Sequence, residues 1–290
     1  MAVNASKKGA DNMARLAPPR VMGLGDAIKH QAKPCHIHSI AGDAGDAIGA
    51  GAIDWWHSGE TAIPYDDAVA LMEAQAHAIR AGSAREAIWL LEHQPVYTGG
   101  RSSQPKDLHL ATTATTNPTP AMHAGIPIRH SNRGGQWTYH APGQRVVYIM
   151  LDVLRYGGDV RAFVRGIETW GIATLAQFGI KGVRRPGLPG IWVENQARGT
   201  MDKIIAIGIR LTRWVSWHGM AINVRPEVLA GFAGIVPCGV RDGGVTCLGD
   251  LMADSDKESG GEGDNSLLMQ QLDTALMASF AESLGRLARP

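Results

Sequence analysis

Cysteine is scarce in this chain. Its 290 residues hold three, Cys35, Cys238 and Cys247, too few and too irregularly spaced for a disulfide framework. No Cys-x-x-Cys pair occurs, which argues against a structural zinc site. Long apolar runs are missing too: no stretch approaches the roughly 20 residues that cross a bilayer. The first 40 residues lack the apolar centre of a secretory signal. Asp11 and Asp26, set among Lys7, Lys8, Arg15 and Arg20, count against a transit peptide. Net charge is almost absent: 28 Lys+Arg against 27 Asp+Glu leave +1, which speaks against a general electrostatic grip on nucleic acid. The expectation is a cytoplasmic protein with no metal, no membrane and no nucleic-acid partner.

What is present suits a globular protein. A hydrophobic fraction of 44% with 19% charged residues allows a sizeable core. Residues 1–51 are rich in Ala and Gly with little periodicity and read as a disordered or loosely packed extension. Residues 52–290 read as one catalytic domain, carrying a mobile acidic, glycine-rich loop over 253–265. A helix is expected from Tyr65 to Ala81, with Asp66 or Asp67 near its start and Gly82 past its end. A second spans Asp159 to Phe178, although Gly166 and Gly171 inside it each cost about 1 kcal/mol. A third closes the chain from Leu267 to Leu287. Ala87 to Glu92 and Arg145 to Val153 are apolar runs suited to buried strands, the first leading into a loop with His93, Pro95 and Tyr97. Ile126 to His130 and Gln136 to His140 flank a turn at Arg133-Gly134-Gly135, and residues 111–121 read as a surface loop. Gly190 to Glu194 and Lys203 to Leu211 form a hairpin pattern, with Ser216 to Val224 as a third strand nearby. Strands and helices do not alternate strictly, so the class is α+β.

Two segments carry chemistry: RGGQWTYHAPGQ, from Arg133 to Gln144, and the Pro-Cys-Gly turn of Cys238, downstream of Lys203 in KIIAIG. A thiol near pKa 8.5 is only a few per cent ionised at neutral pH, so a nearby cation would activate it. Lys203 opens an apolar run and is the obvious base or cation. A glycine loop lets a substrate approach the backbone closely. The plainer readings are an inert cysteine, a solvated lysine and a hairpin turn. A lone histidine such as His218 is more often a satisfied structural residue. His140 could orient a Cys/Lys pair or donate to a carbonyl. The basic residues of the middle of the chain, Arg184, Arg185, Arg210 and Arg213 among them, read first as solvated faces and second as a patch for an acidic carrier protein.

The ordered stretches WLLEHQPVYTGGR, RGGQWTYHAPGQ, PGIWVE, KIIAIGIRL, WHGMAINV, and PCGV followed by TCL resemble the lipoyl(octanoyl) transferases, across roughly Ile53 to Leu251. Two positions depart: Ala141, where glycine is more usual, and Cys247, where serine is. The resemblance implies the fold of the biotin and lipoate ligases, a mixed, largely antiparallel sheet flanked by helices. It implies that Cys238 carries an octanoyl thioester and Lys203 acts as its base. It implies substrate contacts at Arg133, Gly134, Gly135, Gln136, Trp137, Thr138, Tyr139 and His140, at Ala206, Ile207 and Gly208, and at Gly219, Met220 and Ala221, with His218 in support. The implied donor is octanoyl-acyl carrier protein, its acyl group on phosphopantetheine, and no other cofactor is needed. The implied acceptors are lysines of lipoyl domains in 2-oxoacid dehydrogenase complexes and of the glycine cleavage H protein. An octanoyl amidotransferase, an ATP-dependent lipoate or biotin protein ligase, and a non-catalytic carrier-binding protein are the alternatives.

Overall fold

The computed structural model describes residues 38–40, 53–109, 122–123, 125–196, 198–236, 243–256 and 265–288. Its frame is a mixed, largely antiparallel sheet ordered β1 (His38–Ile40), β2 (Asp54–Ile63), β3 (Ala87–His93), β8 (Gln144–Met150), β12 (Val215–Asn223), β11 (Thr200–Thr212), β10 (Leu188–Asn195) and β9 (Val183–Arg185). Within this sheet, among the described residues, only the β2–β3 strand pair is parallel. A smaller sheet is ordered β5 (Met122–His123), β6 (Ile126–His130), β4 (Val96–Gly99) and β7 (Trp137–His140). The architecture is therefore α+β.

The central strands are apolar on both faces because both are covered. Along β3, Ile88 and Leu90 join a core with Phe163, Ile167 and Trp170 of α2 (Val160–Ala176) and Leu272, Leu276 and Phe280 of α4 (Asn265–Phe280). The alternate residues Trp89 and Leu91 face Met72 and Ala76 of α1 (Tyr65–Arg80). Strand β8 divides likewise: Val147 and Ile149 face α2, Val146 and Tyr148 face α1. Period-two alternation thus serves two cores at once. Arg145 fastens α4 to the sheet through a buried ion pair with Asp273 (2.8 Å), which also meets the His57 ring (2.9 Å).

Several local expectations are corrected by tertiary pairing. Strands β6 and β7 do not form a hairpin around Gly134: β4 lies between them, parallel to β6 and antiparallel to β7. Tyr97, expected in a loop, is thereby a strand residue. Neither Asp66 nor Asp67 caps α1, which begins after Pro64 without a side-chain cap; Asp66 pairs instead with Arg129. The last helix ends at Phe280 and resumes as a 3-10 turn over Leu284–Leu287. The segment read as a loose extension contributes β1, paired antiparallel to β2. Part of the acidic loop is helical, since α3 runs Leu248–Asp256. The loop read over 111–121 lies outside the described residues.

Helix α2 forms as its periodicity requires, with Asp159 accepting hydrogen bonds from the amides of Arg161 and Ala162. Its interior glycines answer to packing. A Cβ on Gly166 would stand 2.7 Å from Leu287 and 2.8 Å from Leu284. Gly166→Val should therefore cost about 1–3 kcal/mol through overpacking. Urea unfolding would read this as a lower midpoint at unchanged slope, and a wild-type midpoint would contradict it.

Candidate active site

A cavity of about 370 Å³ opens between the main sheet and the loop joining β6 to β7. Its floor follows from strand register. Neighbours across β11 and β12 share a face, and Ala206 pairs with Ala221 and Gly208 with Gly219. These small pairs leave a trough in a sheet otherwise filled with large side chains. Strand β8 supplies the adjacent wall, because Ala221 also pairs with Val146 and Gly219 with Tyr148.

Strand β10 stops covering β11 at Gly190, opposite Ala206. A Cβ on Gly190, whose φ is +126°, would lie 2.4 Å from the Ile205 carbonyl, so the close approach requires glycine. Beyond that point the Gly134 amide donates to the Ile209 carbonyl at 2.9 Å. A Cβ on Gly208 would meet the Gly134 carbonyl at 2.8 Å, and one on Gly100 the Gly135 carbonyl at 2.4 Å. Glycine is thus required at the positions that flank this loop on both sides, Gly208 and Gly100. Arg133 braces the loop from within: its guanidinium donates to the Thr98 carbonyl and hydroxyl, both at 2.8 Å, and to the Gly134 carbonyl at 3.0 Å.

Lys203 borders the same cavity although it lies three residues from Ala206. Strict alternation would put the two on opposite faces. Between Ile191 and Trp192 the pairing shifts by one: Ile191 faces Ile205, whereas Trp192 faces Lys203. Ile204 is the extra residue of this bulge, and both side chains consequently reach one side. The lysine is buried, donates from Nζ to the Pro189 carbonyl at 3.0 Å, and lies over the Trp192 ring with Nζ 4.6 Å from its centre. Its backbone pairs with the chain at Gly244–Thr246. The Asp202 carboxylate accepts from the Gly244 amide at 2.9 Å and pairs with Arg198, which tethers that segment.

Cys238 lies outside the described residues, as does Cys35. Cys247 is buried just ahead of α3, and its sulfur accepts from the Asp250 amide at 3.4 Å. The thiol therefore takes the helix-capping position that serine ordinarily fills. Burial pushes it up to about 12, which leaves it an unreactive thiol at neutral pH.

The polar inner end of the cavity has a fixed hydrogen-bond direction. His93 is fully buried, and its Nδ1 faces the Ile63 carbonyl at 2.8 Å. A carbonyl only accepts, so Nδ1 carries the proton and Nε2 is bare. Nε2 lies 2.5 Å from the Tyr148 hydroxyl, which must donate to it. Gln144 gives its amide hydrogens to the Tyr139 carbonyl (3.1 Å) and to the Asn223 side-chain oxygen (2.9 Å). Its own oxygen accepts from His140 Nδ1 at 2.6 Å. His140 Nε2, 3.4 Å from the Thr98 hydroxyl, is therefore an acceptor. The expectation that His140 donates to a substrate carbonyl is corrected: its one proton is already given to Gln144.

All three histidines here are neutral. Burial lowers His93 to about 4. Burial, with help from the nearby Arg133 charge, lowers His218 to about 3. Burial and the neighbouring His93 take His140 well below the usual histidine range. His218 has a left-handed backbone, φ +59°. Gln136 and Thr138 each leave a buried side-chain oxygen without a partner among the described residues.

The cavity brings together Lys203, residues 133–138, His140, Ala206, Ile207, Gly208, His218, Gly219, Met220 and Ala221. Tyr139 is left out. By strand alternation it faces away from the cavity, against Tyr97 (5.1 Å) and Phe232 (5.9 Å). The sequence reading missed Tyr65, Val146, Tyr148 and Pro189. Of these, only Pro189 lies in a motif that stood out, and the tyrosines had no distinguishing pattern. Among the described residues no cluster of His, Cys, Asp and Glu is arranged to hold a metal. No described helix is long and apolar enough to cross a membrane.

These features define the site: a mixed sheet whose small-residue trough ends at a lysine. The lipoyl protein ligase A/B catalytic domain matches residues 64–281, and the chain belongs to that family. Within it, the chain is 50% identical over 237 residues to an octanoyltransferase of Chelativorans sp., covering 79% of this chain and 86% of that one. An octanoyltransferase of Cereibacter sphaeroides is 47% identical over 227 residues, covering 76% and 93%. In fold the chain resembles a proposed lipoate protein ligase from T. acidophilum solved with lipoic acid, at TM-score 0.50 and 14% identity, covering 81% and 86%.

The neutral histidines set a pH dependence. Unfolded, they titrate near 6.5, so as pH falls the unfolded chain binds protons first. Their contribution is fully present above pH 6.5 and is lost as pH falls through about 4 for His93 and about 3 for His218. Each should remove about 1.4 kcal/mol per pH unit within that window. Denaturant unfolding at pH 7.5 and 5.5 measures this, and His93→Gln should flatten the dependence. Equal stabilities at both pH values would contradict it.

Proposed function

We propose that this protein transfers an octanoyl group from the phosphopantetheine thioester of acyl carrier protein to the lysine of lipoyl domains, by way of a thioester on Cys238. The observation that carries the reading is the buried lysine at one end of a trough floored by alanine and glycine pairs. Octanoyltransferase relatives at 46–50% identity support the acyl group and its destination in lipoylation.

Lys203 takes the thiol proton of Cys238. The thiolate attacks the donor carbonyl, and the tetrahedral intermediate expels the pantetheine thiolate, which recovers the proton. The acceptor lysine arrives as an ammonium with an ordinary pKa near 10.4. Lys203, having passed on the first proton, removes one from it; the amine attacks the thioester, the nitrogen's second proton passes to the departing Cys238 sulfur to give the amide and the free thiol, and Lys203 releases its proton to solvent. Thioester exchange is nearly balanced and aminolysis runs downhill, so no ATP, metal or redox cofactor enters. Alanine and glycine along the trough leave room for an alkyl chain. Tyr148 and His140 each spend their proton on another buried group and give none to a substrate carbonyl oxygen. The proposed acceptors are the lipoyl domains of 2-oxoacid dehydrogenase complexes and the H protein of glycine cleavage. The cytoplasm is the proposed location.

Intact-protein mass spectrometry after mixing with octanoyl-acyl carrier protein, without ATP, tests the scheme. One hydroxylamine-labile octanoyl adduct is expected on the wild type and none on Cys238→Ala. Acylation that needs free octanoate and ATP would make the protein a ligase instead. Lys203→Met should slow adduct formation about 10²–10⁴-fold, the usual weight of a general base; a wild-type rate would remove the lysine from the mechanism.

A further inference from the structure

The trough that starts at Lys203 ends abruptly, and the residue that ends it is strained. Strand alternation places Trp217, Gly219 and Ala221 on the α1 side of β12 and would place His218 on the α2 side with Met220. Instead His218 adopts φ +59°, a left-handed conformation uncommon for a residue with a Cβ. Its ring is thereby turned to the α1 side. There it stacks on Trp217 (5.0 Å between centres, 13° between planes) and meets the Tyr148 ring edge-on at 5.8 Å.

The imidazole is 3% exposed, borders the cavity and has no ring hydrogen bond among the described residues. Ile209 and His218 border the cavity, whereas the next cross-strand pair on the trough's face, Arg210 and Trp217, does not. That pair is closed against itself, with the Arg210 guanidinium 4.5 Å from the Trp217 ring centre. A strained backbone that turns an unbonded ring across the end of an apolar trough has a shape consequence: it fixes the trough's length.

We infer that His218 is the end stop that sets the acyl chain length the site accepts. This rests on the acyl-transfer reading above, with the reacting carbonyl near Lys203. From Ala206 to Ile209 the floor is about 10 Å long at roughly 3.4 Å per strand residue. An extended chain advances at most about 3.6 Å per three backbone bonds, so the seven C–C bonds of an octanoyl group span about 8–9 Å. A chain with its carbonyl level with Ala206 therefore brings its terminal methyl to the His218 ring. Two to four further carbons would have to enter the space the ring fills.

Glycine is the informative replacement, because it adopts a positive φ freely and removes the ring. Asparagine, which also tolerates the left-handed region, is the intermediate. Acyl-enzyme formation from octanoyl-, decanoyl-, dodecanoyl- and tetradecanoyl-acyl carrier protein should be measured on the full chain for wild type, His218→Gly and His218→Asn. In parallel, thermal shifts with the matching free fatty acids report chain fit without catalysis. For His218→Gly the ratio of dodecanoyl to octanoyl kcat/KM should rise about 10-fold or more. The fatty acid giving the largest thermal shift should lengthen with it. His218→Asn should fall between, and both variants should give the circular dichroism spectrum of the folded wild type.

An unchanged chain-length profile in folded His218→Gly would overturn the end stop. So would an equal loss for every chain length, which would make the ring part of the chemistry instead. If the wild type forms no acyl-enzyme from any donor, the transferase reading fails, while the fatty-acid shifts still decide whether His218 limits the chain.

Discussion

One backbone contact organises the rest: the Gly134 amide on the Ile209 carbonyl, 2.9 Å apart. It forms where β10 has left β11, so the glycine loop occupies edge that a strand would otherwise take. Two sheets are joined there without closing the gap between them, and the gap is the cavity. The contact tolerates no side chain at the neighbouring Gly208, whose Cβ would stand 2.8 Å from the Gly134 carbonyl. A single Cβ would push the loop away and with it Arg133, whose guanidinium holds the loop to β4. The glycines of this site are therefore a condition of assembly before they are a condition of substrate approach.

The cavity's two ends are built by two different breaks in strand alternation. At one end a bulge at Ile204 brings Lys203 onto the trough's face. At the other a left-handed residue brings His218 onto it. Regular strands would have turned both side chains into the α2 core, where a lysine and an unbonded imidazole would each be costly to bury. Between the two breaks the small pairs Ala206–Ala221 and Gly208–Gly219 leave the floor open. The surrounding polar groups are wired inward. His93 fixes Tyr148, and Gln144 fixes His140, so each withholds its proton. Keeping the three histidines neutral beside Arg133 needs burial, which the two sheets and α1 together provide.

The sequence carried much of the architecture in readable form. The apolar runs at Ala87 and Arg145 are buried strands, the periodicity of 159–178 is α2, and KIIAIGIRL with WHGMAINV is a β-ladder. Errors arose where a local pattern was settled by a distant partner. Gly134 and Gly135 look like a hairpin turn because nothing in residues 126–140 announces that β4, thirty residues upstream, will separate the two strands. The motif groups Tyr139 with its neighbours, yet alternation sends it to the opposite core. Tyr65 and Tyr148 reach the site from a helix start and a central strand, positions that carry no motif of their own.

By itself the sequence determined which chemical groups were available: one lysine in an apolar run, a Pro-Cys-Gly turn, a glycine loop and almost no other cysteine. It also carried the two-faced burial of the central strands, because a continuous apolar run is a local property. Tertiary structure alone decided which of those groups share a cavity, which proton each histidine keeps, and where the trough stops. Those outcomes depend on register, on a one-residue bulge and on one left-handed φ. Each is set by the energy of packing whole sheets together, which no window along the chain contains.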